Sequence, residues 1–121
     1  MTPAERLVAR FQPADLGLAD QEALAARLSA YLRLAAFERP DGNASQQYQY
    51  ALGEALGAQI AQLYREQDKF RREGKLTLER DIVGRIDRLS RERDAALKAS
   101  EPASGAGYRQ RSVSVDVEVG L

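Results

Sequence analysis

Residues 112–121 read SVSVDVEVGL, in which Val113, Val115, Val117, Val119 and Leu121 alternate strictly with polar residues or glycine. Five apolar residues at period two describe a β-strand with one apolar face. No other segment of the 121-residue chain shows comparable alternation. A lone strand finds no partner in its own chain for its backbone donors and acceptors, and one unpaired strand is not stable in water. The remainder must therefore fold without a sheet, and its apolar residues recur at helical spacing.

A first short helix is signalled by Thr2 as cap, Pro3 at the first helical position and Glu5 completing a capping box. Leu7, Val8 and Phe11 give it an apolar side, and Pro13 closes it. The link QPADLGLAD leads to Asp20, the expected cap of a second helix carrying Leu24, Leu28, Tyr31, Leu32 and Ala35 up to Arg39. Pro40-Asp41-Gly42-Asn43 is a strong stop. Ser45 is the expected cap of a third helix to about Glu73, with Tyr48, Leu52, Leu56, Ile60, Leu63 and Phe70 along its stripe.

Gly53 and Gly57 stand four apart inside this third helix. Each costs roughly 1 kcal/mol relative to Ala, so close approach of another helix is the natural reason for keeping both. Packing within the chain is favoured over a subunit interface. Gly74 has two readings: a break, with Thr77 capping a fourth helix from Leu78 to about Ala99, or a bend in one long helix. The break is preferred. Leu78, Ile82, Ile86, Leu89, Ala96 and Leu97 then share one side of the fourth helix.

The expected architecture is thus all-α: a small bundle of about four helices over residues 1–100, a flexible linker at 101–107 (EPASGAG) and a strand-forming tail at 108–121. The tail either folds back on the body, is a free end, or adds a strand to a sheet in another subunit or protein; its regularity favours strand addition. Tyr108, Arg109 and Arg111 precede the strand, the two arginines suited to an acidic rim.

The residue inventory removes much chemistry. The chain has no Cys or His, which excludes catalytic triads built on them, disulfides and the usual structural zinc sites. Ser-Gly-Ala-Gly at 104–107 lacks the lysine and context of a phosphate loop, and Asp116 with Glu118 reads as a solubilising strand edge. No enzymatic activity, cofactor or metal is expected. Glu5 and Arg6 interrupt any signal-peptide core, and no stretch approaches the ~20 apolar residues a membrane helix needs, so no membrane partner is expected.

Charge is balanced, with 18 Lys+Arg against 18 Asp+Glu, but unevenly placed. Arg65–Lys98 holds eleven basic and eight acidic residues. Asp68–Arg72, Asp81–Arg85, Asp87–Arg91 and Asp94–Lys98 are i,i+4 pairs with the acid first, the favourable order, which describes a solvated or interface helix. The alternative is a DNA-binding packaging or regulatory subunit using the Arg-rich helix 78–99, with Arg85 and Arg88 among its phosphate contacts. A coiled-coil interaction module is a third possibility.

The helical stripes up to Leu97, the linker Glu101–Gly107 and the tail Tyr108–Leu121 give a chain that resembles the head–tail adaptor (connector) proteins of tailed bacteriophages. The resemblance is one of architecture across most of the chain, without a diagnostic motif. It implies a virion structural protein assembled in the host cytoplasm, an oligomeric ring of identical subunits docked beneath the portal, and a terminal extension that joins a sheet in the portal, a tail protein or a neighbour. DNA would pass through without sequence-specific binding. The neutral net charge departs from what a DNA-lined channel suggests.

Overall fold

Local signals at the N-terminus act as the residue types dictate. Thr2 accepts from the Glu5 amide and the Glu5 carboxylate accepts from the Thr2 amide, so α1 (Pro3–Arg10) opens on a complete capping box. The computed structural model describes residues 2–102. Among these residues the chain is all-helical, with four α-helices and no strand.

The link after α1 is more ordered than its composition indicates. Pro13–Leu16 forms a 3-10 turn that ends on Gly17 in the left-handed region (φ 70°) and buries Leu16. Asp20 then caps α2 (Gln21–Glu38) by accepting from the Ala23 amide. Leu24, Leu28 and Ala35 are buried, and Tyr31 and Leu32 are half-buried against the same core.

Three sequence expectations need correction here. The cap of α3 (Ala44–Arg72) is Asn43 and not Ser45, because the Asn43 carboxamide accepts from the Gln46 amide while Gln46 reaches back to the Asn43 amide. That reciprocal pair leaves Ser45 inside the first turn. The fourth helix, α4 (Leu76–Ala99), starts before Thr77 and has no side-chain cap. Leu78 is 43% exposed where burial was expected, because no third helix covers that stretch.

Gly74 does break the helix. It takes φ 73°, the Lys75 amide donates to the Phe70 carbonyl (2.9 Å) and the Gly74 amide to that of Arg71 (3.2 Å). This is the Schellman pattern, which satisfies the last carbonyls of α3 and reverses the chain. Arg71 then bridges to Glu79 at 2.9 Å and ties the two helices together at the turn.

The resulting molecule has two parts. In the base, the 3-10 turn and α2 cover the first half of α3 and α1 packs on α2, so that Leu7, Phe11, Leu16, Leu24 and Leu28 share one core with Ala51, Ala55 and Leu56. The base reaches as far as Gly17, whose backbone lies against Gln62 and Arg65. Beyond it, α3 and the first half of α4 continue as a two-helix arm. Its core is Ile60, Leu63, Ile82 and Ile86, edged by Phe70 and Leu89.

Candidate functional site

The chain leaves the helical body at a built feature. Ser100 follows α4 and is fully buried; its Oγ donates to the Leu97 carbonyl at 2.6 Å. Arg39, at the end of α2, donates from Nε to the Ser100 carbonyl (3.2 Å) and from Nη2 to its Oγ (3.5 Å). Gln46 Nε2, in the first turn of α3, donates to the Glu101 carbonyl at 3.2 Å. Arg39 is itself held, since its carbonyl accepts from Gln47 Nε2 at 3.0 Å and its guanidinium lies 5.0 Å from the centre of the Tyr50 ring. The orphan carbonyls beyond α4 thus find donors on two other helices.

Burial pushes the Tyr50 phenol above its ordinary pKa, Glu54 and Glu38 push the same way, and Arg39 opposes them. Tyr50 is therefore neutral at physiological pH. The sequence stripe missed the Arg39–Ser100–Gln46 clamp. Its partners are 61 and 55 residues apart in the chain, and neither periodicity nor local capping rules reach that far. The tail residues Tyr108, Arg109, Arg111, Val113, Val115, Val117, Val119 and Leu121, and linker residues 103–107, lie outside the described residues.

The two helix-interior glycines have different surroundings. A Cβ on Gly53 would lie 2.5 Å from Cδ2 and 2.8 Å from Cγ of Leu97, so α4 occupies the space a side chain at 53 would need. At Gly57 the nearest atom is Cδ of Arg93, at 3.7 Å, which is ordinary contact. Leu56, Ile60 and Leu63 are buried, Leu56 in the base and the other two in the core of the arm. Gly53, Gly57, Tyr31 and Arg93 line an open groove of about 410 Å³ across α3.

No known protein family, curated protein or solved structure matches the chain. Among the described residues no group of three or more acidic side chains is placed to hold a metal ion, and no helix is long and apolar enough to cross a membrane.

The charged hairpin carries pairs, though not all the anticipated ones. Arg91 meets Asp87 at 2.7 Å, as the i,i+4 spacing predicts. Asp68 pairs with Arg71 at 3.9 Å in place of Arg72, and Asp94 with Arg93 at 3.4 Å in place of Lys98. Asp81 and Arg85 form no ion pair among the described residues. Arg10 of α1 reaches across to Glu92 at 2.9 Å. Of the five arginines of α4, Arg91 and Arg93 each lie beside a carboxylate, and Arg80, Arg85 and Arg88 form no ion pair among the described residues.

Proposed function

We propose that the chain is a structural, non-enzymatic assembly protein, an adaptor of the phage head–tail connector kind, whose helical body is a rigid mount for a strand-adding tail. One observation carries this reading: the chain leaves the body through the Arg39–Ser100–Gln46 clamp, directly ahead of the linker and the alternating Val113–Leu121 segment. A tail that only ended the chain has no need of an anchored origin. A tail that transmits position between two proteins does. In this reading ladder hydrogen bonds supply affinity for the partner sheet and the odd-numbered valines supply its apolar contact. The body assembles as a ring between portal and tail.

The test is to remove residues 108–121 and mix the truncated chain with the portal protein. The expected result is an unchanged far-ultraviolet helical signal and loss of co-sedimentation with the portal. Retention of co-sedimentation by the truncated chain overturns strand addition. A gel shift that responds steeply to salt and disappears on replacing Arg85 and Arg88 would favour the DNA-binding alternative.

A further inference from the structure

The turn at Gly74 leaves backbone groups unpaired that a continuous helix would pair. Its Schellman bonds use the amides of Gly74 and Lys75. The next three amides, of Leu76, Thr77 and Leu78, find no protein acceptor among the described residues, and no side chain caps α4. The carbonyls of Arg72, Glu73 and Gly74 likewise find no protein donor there. In an uninterrupted α-helix each N–H bonds the carbonyl four residues back, so these six groups are one another's partners. The hairpin forgoes three backbone bonds that the same residues make when straight.

The helical pattern also runs through the turn. Ile60, Leu63, Gln67, Phe70, Gly74, Leu78 and Ile82 follow one another at steps of three and four, so α3 and α4 carry a single stripe when joined. Packing points the same way. α4 lies chiefly on α3, while at its far end Arg10 reaches Glu92 and Arg39 reaches Ser100. An element joined to its support by so short a turn is one that two copies can exchange.

We infer that Gly74 is a hinge between two states of this chain, and that in the second α3 and α4 run on as one helix while α4 seats on the α3 of a second copy. The contacts of the hairpin are then remade between copies, the Arg71–Glu79 bridge and the fit of Leu97 on Gly53 among them. The difference lies in the hinge, where the straight form gains backbone bonds and the hairpin needs no second copy. A φ of 73° at Gly74 keeps the hairpin accessible, because glycine adopts it freely. The joined helix over 44–99 is about 84 Å long at 1.5 Å per residue. Ser100 of each copy is then held by Arg39 of the other, so the pair sends its two tails from opposite ends. The exchange needs no tail and stands apart from strand addition.

The chain has no Cys, so Arg71→Cys with Glu79→Cys in the full chain introduces one reactive pair, at side chains that bridge at 2.9 Å. A short bis-maleimide joins the pair within one chain in the hairpin and between chains in the exchanged state, which a denaturing gel separates. With Gly74 in place, refolding from denaturant is expected to give linkage within chains when dilute, and linkage between chains in a fraction that rises with concentration. Gly74→Ala acts through the backbone, since its Cβ meets nothing within 4 Å. It disfavours the left-handed hinge and favours the helix at both hinges of a pair, so the association constant is expected to rise by roughly a thousandfold or more. Inserting two glycines after Gly74 lengthens the turn and weakens the straight helix, and is expected to abolish linkage between chains. Gly74→Ala linked within chains at every concentration overturns the inference. Linkage between chains that persists undiminished after the insertion overturns it too, because contact between intact hairpins then explains it.

Discussion

Base and arm are built on the same two helices, yet they hold together differently. In the base, α3 is packed by the 3-10 turn, α2 and α4, α1 closes the core from α2, and Leu7, Leu24 and Leu28 lose all contact with solvent. In the arm the same α3 faces α4 alone, and every buried side chain there retains a few per cent of exposure. Apolar burial scales with the area removed from water, so a two-helix layer gains less per residue than a core enclosed on several sides. The arm compensates with tying contacts: the Schellman turn at Gly74 and the Arg71–Glu79 bridge. Rigidity of the hairpin tip thus rests on polar geometry, and that of the base on packing.

Core truncation breaks this comparison with the largest effect. Leu56→Ala removes a side chain 1% exposed at the centre of the base and is expected to cost roughly 2–5 kcal/mol in denaturant unfolding. Ile82→Ala in the arm is expected near the lower end of that range, because the open hairpin can relax into the space. The sharper readout is native-state hydrogen exchange. Ile82→Ala should speed exchange of arm amides and leave those around Leu24 and Leu28 protected, whereas Leu56→Ala should speed both. Equal acceleration of base and arm by Ile82→Ala would mean that the molecule opens as one unit.

The paired glycines test the same contrast at a smaller scale. Gly53→Ala gains about 1 kcal/mol of helix propensity but drives a Cβ to 2.5 Å from Leu97, and overpacking of this kind costs about 1–3 kcal/mol. Gly57→Ala makes the same propensity gain against an ordinary 3.7 Å contact. Thermal melts should therefore move in opposite directions, down for Gly53→Ala and up for Gly57→Ala. A rise for both would show that Leu97 yields freely and that α4 is not seated tightly on α3.

These glycines also show what the sequence can carry. Their spacing within a helix implied a close neighbour, but nothing in the linear pattern distinguishes the one that touches Leu97 from the one that does not. Local rules performed best where both partners lie within five residues, as at Thr2–Glu5, Asp20–Ala23 and the Gly74 turn. They misplaced the start of α3 because Asn43 and Ser45 are both competent caps, and only the reciprocal Gln46 contact decides between them. The apolar stripes identified the buried faces of α2 and α3. They overstated burial at Leu78, since periodicity registers that a face is apolar and not whether another helix arrives to cover it. The exit clamp was invisible for a related reason: Arg39 and Ser100 look like ordinary surface residues until the fold joins them.

Tyr50 offers the smallest effect and one that reports on the base alone. Burial and the Glu54 and Glu38 carboxylates hold its phenol neutral to higher pH than in an unfolded chain, where it ionises near its ordinary value of about 10. Between the two values the unfolded state has lost a proton that the folded state keeps. Linkage then requires stability to fall as pH rises, beginning at the ordinary value and ending at the raised one. The direction is opposite to that of a carboxylate held by a cation. Tyr50→Phe removes the titrating group while leaving a ring for Arg39 to lie against, so the variant should lose part of the alkaline decline and keep its neutral-pH stability nearly unchanged. Denaturant midpoints measured for both proteins from pH 8 to 11 give the comparison. If the two declines superimpose, the junction of α2 with α3 contributes nothing to the alkaline loss.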